Sequence, residues 1–241
     1  MTIEIILNEE VDLKGRTLIT GFHGIGVVGY IAVKYMIEQT NARKIGLIIS
    51  KLTPPLISLN EEGTIQLPFE IYLDEENNFV YLLIRFQPHP EELRDFTKQL
   101  AIFAQEMNLK DIILLGGLDG SAVNGTFDPE EDEKGFRCVI TNNFPFDDPP
   151  LIDAGLFISG GIAMLLIELE LRKIPALTLF PFAERDHPDM HAATKAIQII
   201  NELCETNIKT DDLKEEAKDL ENEVNQILRQ EVKKDPNHFY T

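Results

Sequence analysis

Residues 17–39 read TLITGFHGIGVVGYIAVKYMIEQ, a short apolar strand, a glycine-rich turn and a helix in immediate succession. Thr17–Thr20 supplies the strand. Val28, Ala32, Tyr35 and Met36 recur near one face of a helix predicted over Ile25–Gln39. Strand, turn and helix in this order are the unit from which sheets covered by helices are built. Gly24, Gly26 and Gly29 complete a GxGxxG pattern, the context of a phosphate cradle in which backbone amides at a helix N-terminus face an anion. That fingerprint also needs an acidic residue at the end of the next strand, where the chain has Ile49-Ser50-Lys51-Leu52. The other reading is steric: glycines permit a tight turn and a close approach of helix to sheet.

Working outward, β-branched or leucine-rich runs predict further strands at Ile3–Leu7, Lys44–Ser50, Ile65–Leu73, Phe79–Phe86, Asp111–Leu115, Arg137–Thr141 and Ala176–Phe180. Helical patterns lie between them at Pro90–Met107, Gly161–Leu171 and Asp189–Cys204. Several strands are apolar on both faces. The expected fold is therefore α/β, a mixed, largely parallel sheet flanked by helices.

A different unit follows Cys204. Asp212 and Glu215 have capping-box spacing, and a long amphipathic helix is predicted over Asp211–Lys234, closed by Asp235-Pro236. Leu213, Ala217, Leu220, Val224 and Ile227 repeat at intervals of four and three, a seam that wants a partner surface in an oligomer or on the chain's own body. The expected division is a core domain over 1–206 and a helical stalk with a terminal tail over 207–241. The tail ends Phe239-Tyr240-Thr241, two apolar bodies with a phenolic hydroxyl and a terminal carboxylate, suited to capture in a pocket carrying a cation. A frayed end is the alternative.

Composition bounds the function. The 22 basic and 41 acidic residues give a net charge of −19, a surface that repels nucleic acid and anionic lipid. No apolar run approaches the ~20 residues that span a bilayer, and no export signal is read at the start, so a cytoplasmic protein is expected. Cys138 and Cys204 sit in apolar stretches and read as core fillers. His187 and His191 have the i,i+4 spacing of a zinc pair, but Pro188 between them works against a shared helical face, and no metal is expected. Ser121, Ser159 and Cys138 lack the setting of an activated nucleophile, and no catalytic set assembles.

Several segments together resemble archaeal members of the proteasome assembly chaperone family. These are GFHGIGVVGYIA (21–32), LTPPL (52–56), ILLGGLDG (113–120), LFISGGIAMLL (156–166) and ALTLFPF (176–182). The resemblance covers most of residues 1 to 206. It implies a core similar to phosphorylase and nucleosidase domains, without enzymatic activity or cofactor. It also matches Phe239-Tyr240-Thr241 to the hydrophobic-Tyr-any ending that inserts between adjacent proteasome α subunits. There the Thr241 carboxylate would meet a lysine, Tyr240 would pack and hydrogen-bond, and Phe239 would fill an apolar recess. An ATP-independent, homo-oligomeric chaperone of the proteasome core is the implied function. The competing expectation is a nucleotide- or nucleoside-binding enzyme using Gly24–Gly29.

Overall fold

A computed structural model describes residues 3–60, 63–120, 135–141, 144–214 and 217–234. The main sheet contains β1 (Glu4–Leu7), β2 (Thr17–Gly21), β3 (Arg43–Ile49), β6 (Phe69–Asp74), β7 (Phe79–Ile84), β8 (Asp111–Leu115), β9 (Phe136–Thr141) and β10 (Ala176–Pro181). Their order across the sheet is β1-β3-β6-β7-β2-β8-β10-β9. The inner strands β7, β2, β8 and β10 are mutually parallel, and every other pairing is antiparallel. The sheet is thus mixed, with its parallel portion at the centre. Two short strands, β4 (Ser58–Leu59) and β5 (Ile65–Gln66), form a separate antiparallel hairpin.

The all-apolar strands are buried on both faces because helices cover both. Leu18, Val80, Leu82, Ile112 and Leu114 point to one core, and Ile19, Tyr81, Leu83, Ile113 and Leu115 to the other. This is the two-residue period of a strand expressed in three dimensions. Helices α2 (Leu93–Glu106) and α3 (Gly160–Arg172) pack together on the first face. The opposite face is covered by α1 (Val28–Gln39), α4 (Met190–Cys204) and α5 (Ala217–Lys234). Helix α1 is buried almost all round, from Val28 to Ile37, since it lies between the sheet and other helices. Helix α4 begins at Asp189, whose carboxylate accepts from the backbone N–H of Ala192 at 2.9 Å, a side-chain cap.

Two expectations need revision. The single strand expected over Ile65–Leu73 divides into β5 and β6, with Leu67-Pro68 between them. Proline has no N–H to give to a ladder, so pairing breaks there. The continuous helix expected from Asp211 is a 3-10 turn over Asp211–Lys214 and then α5. Cys138 is buried and Cys204 half-buried, both as free thiols. No described helix is long and apolar enough to cross a membrane.

The glycine turn decides how closely α1 approaches the sheet. A Cβ on Gly29 would stand 2.5 Å from the carbonyl oxygen of Leu115, and one on Gly21 2.5 Å from the Cα of Gly29. Backbone cannot retreat as a flexible side chain can. Gly29→Ala is therefore expected to cost at least about 2 kcal/mol by overpacking. Gly24→Ala, where no atom lies within 4 Å of the new methyl, should stay within about 0.5 kcal/mol of wild type. Urea unfolding of the two variants measures the contrast.

Candidate functional site

In a sheet of this kind the loops after the parallel strands are where ligands bind. Here those loops fill one another. After β2, Gly24 is extended, Gly26 has φ 63° and Val27 φ 49°, so the chain makes a left-handed step into α1. The space a side chain at Gly26 would need is taken by Ala183, at 2.9 Å, and by the Asp189 Cβ, at 3.0 Å. The Asp189 N–H donates to the Gly26 carbonyl at 2.8 Å. Gly117, after β8, lies so close to the Ile25 carbonyl that a Cβ would come within 2.2 Å of it. The Ala183 methyl, the Asp189 Cβ and the Glu184 carbonyl thus crowd the turn where a phosphate cradle would need open amides. Of Gly24, Gly26 and Gly29, the cofactor candidates read from sequence, Gly26 serves the contact between loops and Gly29 the contact between helix and sheet, while a Cβ on Gly24 would meet no atom within 4 Å.

The remaining chemistry-bearing residues at this end are also engaged. His23 is buried, its Nε2 3.1 Å from the Ile84 carbonyl and its ring edge-on to Tyr30. Asp119 pairs with Arg185 at 3.0 Å. His187 stands ahead of α4 and His191 within its first turn, and among the described residues no cluster of His, Cys, Asp or Glu could hold a metal.

The structure instead concentrates its buried charge where α5 meets the body. Arg85, just past β7, is 2% exposed. Its Nη2 donates to Glu70 of β6 at 3.2 Å, and its Nη1 to Glu223 of α5 at 3.2 Å and to the Tyr30 hydroxyl of α1 at 3.1 Å. Tyr30 donates in turn to Glu223 at 2.6 Å. Lys34 holds the other Glu223 oxygen at 2.8 Å, while Lys44 and Tyr72 hold Glu70 at 2.7 and 2.9 Å. Burial by itself would raise the Glu223 carboxyl pKa. The charge and hydrogen bond of Lys34, the Tyr30 hydroxyl and Arg85 outweigh it and hold the group below the usual carboxylate range. Glu70 behaves alike: burial raises it, but Lys44, the Leu67 backbone and Arg85 lower it further.

Sequence reading missed this network, although one signal was present. Arg85 follows FVYLLI and Glu70 sits within FEIYL, single charges in runs that are otherwise apolar. The stalk residues can now be placed. Leu213, Val224 and Ile227 are all buried in the core cluster shared by α1 and α4. Those three therefore pack on their own chain. The Leu220 side chain and the tail Phe239, Tyr240 and Thr241 lie outside the described residues.

Comparison with known proteins now has a geometry to meet. The PAC2 family model matches residues 18–228, from β2 to the anchored part of α5. The chain belongs to the PAC2 family. An uncharacterized protein of Methanocaldococcus jannaschii is 20% identical over 235 residues, 96% of this chain and 93% of that one. The fold is similar to Pyrococcus furiosus PbaA, described as an archaeal homolog of proteasome-assembly chaperone (TM-score 0.75, 21% identity, 95% of this chain and 99% of that one). It is also similar to P. furiosus PbaB, described as an archaeal proteasome activator (TM-score 0.71, 20% identity, 95% and 98% covered). A Thermoplasma acidophilum protein of unknown function has the same fold (TM-score 0.76, 23% identity, 91% and 88% covered).

The charge network sets a pH dependence for this PAC2 protein. Carboxyls whose folded pKa is depressed contribute stability that is complete above their unfolded value, about 4.3 for Glu. It is lost as pH falls through the folded value. Wild type should therefore weaken progressively as pH drops below about 4.5. Glu223→Gln should be less stable at pH 7 and fall less steeply in acid. Arg85→Ala, which removes a buried cation shared by Glu70 and Glu223 and leaves them to Lys44 and Lys34, should cost about 3–5 kcal/mol. Guanidinium unfolding at several pH values tests all three outcomes.

Proposed function

We propose that this chain is a non-enzymatic, ATP-independent proteasome assembly chaperone, working in the cytoplasm on proteasome α subunits or the core particle. Its contact would be the ending Phe239-Tyr240-Thr241. The observation that carries the reading is the family match over residues 18–228, joined to a C-terminal helix anchored to the body at Glu223, Val224 and Ile227. The likeness to PbaA and PbaB, whose descriptions name a proteasome-assembly chaperone homolog and a proteasome activator, supports the same partner.

Interlocked glycine loops support a body that does no chemistry. Gly26 and Gly29 face protein atoms in contact distance, which argues against the nucleotide-binding alternative. A tail of three residues buries little surface and binds weakly alone. Presentation by a fixed helix reduces the disorder that binding must remove, and several tails on one assembly would add avidity of roughly 10²–10⁴.

Deleting Phe239–Thr241 is expected to abolish capture of α subunits and of mature core particles in a pull-down, with mass and melting temperature unchanged. Retained capture would overturn the tail as the contact. Reproducible thermal stabilisation by nucleotides or nucleosides, removed by Gly26→Val, would favour the enzyme reading instead.

A further inference from the structure

Helix α4 packs on α1 and β10 but also walls a groove of about 400 Å³. Lys195, Ile199, Glu202 and Leu203, at i, i+4, i+7 and i+8, share the face that lines it. The opposite wall is Phe136, at the start of the edge strand β9, with Phe146, Asp147 and Asp148 from the connection that follows β9. Phe136 and Ile199 are buried; Phe146 and Leu203 are half-buried. The two phenylalanine rings are nearly parallel, 12° apart with centroids separated by 6.4 Å. An apolar surface of this size, with a few charged groups around it, has the make-up of a small-ligand site.

The charges on this groove share it without meeting. Lys195 is half-buried, and it has no ion pair with any described residue, although three carboxylates line the same groove. Asp147 and Glu202 are likewise without an ion pair among the described residues. Along α4 the seven residues from Lys195 to Glu202 advance about 10 Å. An ammonium at one end and a carboxylate at the other are each left free to bind a group of opposite charge. Between them lie Ile199 and the phenylalanine wall, which reward an apolar body.

We infer that the groove between α4 and the connection after β9 binds a short apolar peptide with free ends. Three extended residues span about 10 Å, the rise of α4 from Lys195 to Glu202. The peptide's terminal carboxylate accepts from Lys195, its amino group donates to Glu202, and its side chains lie on Phe136, Phe146 and Leu203. With three carboxylates and one cation lining the groove, the amino group is the stronger determinant, and polyanions are excluded. The site uses neither the C-terminal tail nor α5, so it goes beyond the proteasome reading and stands or falls separately.

Calorimetric titration of the full chain with the peptide Leu-Ala-Leu is the test. Saturable binding is expected, with a Kd between about 10 µM and 1 mM. Gly-Gly-Gly, which has the charges without the apolar body, should bind at least about tenfold more weakly. N-acetylated Leu-Ala-Leu, which lacks the amino charge, should lose at least about tenfold, and the C-terminal amide a few-fold. Two variants assign the ends. In Lys195→Gln the acid and the amide should bind equally, and in Glu202→Gln with Asp147→Asn the cost of acetylation should shrink. Circular dichroism verifies that both variants fold, and the ligand series on wild type stands without them. No saturable binding up to about 5 mM would overturn the site. So would equal affinity for Gly-Gly-Gly or for the acetylated peptide, or an acid–amide difference that survives in Lys195→Gln.

Discussion

A guanidinium buried to 2% exposure makes the rest of the structure conditional on its partners. Arg85 cannot enter a low-dielectric interior alone; an uncompensated charge there costs several kcal/mol. Glu70 comes from the neighbouring strand, but Glu223 comes from α5, more than a hundred residues later. The C-terminal helix therefore completes the electrostatics of the body. Exposed ion pairs are worth about 0–1 kcal/mol and would leave such a helix free to fray. A buried cation, with Val224 and Ile227 beside it contributing roughly 1.5–3 kcal/mol each, does not. Val224 and Ile227 of α5 lie in the same core cluster as α1 and α4.

The glycines show a second constraint of the same kind. The turn after β2 has the spacing of a phosphate-binding loop, yet what it contacts is the Asp189 turn ahead of α4 and Gly117 after β8. Spacing specifies that side chains must be absent; it does not specify whether a ligand or the protein's own backbone fills the room. Here the missing acidic residue after β3 was the informative part of the motif. Both observations describe a rigid body whose strand-end loops interlock.

How far the sequence carries the reader depends on which force decides each feature. Strands β2, β7, β8 and β10 were legible because burial on both faces leaves unbroken apolar runs, and α2 because one buried face leaves a clean stripe. The start of the helix predicted over Asp189–Cys204 was legible because its cap, Asp189, is local. The break at Pro68 was visible and its consequence for the sheet was not, since β6 leaves the hairpin for a long-range pairing with β3. The Arg85 network was hidden for the same reason: Glu70, Arg85 and Glu223 are far apart in sequence, and only tertiary structure brings them together. Met164, Ile167 and Leu171 are exposed although the Gly161–Leu171 run is nearly all apolar, and hydropathy alone does not tell which of its residues face the core.

Anchoring bears directly on what a terminal peptide could reach. Ile227 is the last deeply buried residue described in α5, and Arg229 and Gln230 are already exposed. From Ile227 to Lys234 the helix advances about 10 Å. Seven further residues extend at most about 25 Å, so under the proposed function a receiving pocket must lie within about 35 Å of the anchor. A helix hinged freely at residue 207 would sweep a far larger volume and dilute its own tail. Fixing the helix at Glu223 trades that sweep for direction. Effective concentration rises when a tether matches the span between sites and falls when it exceeds it.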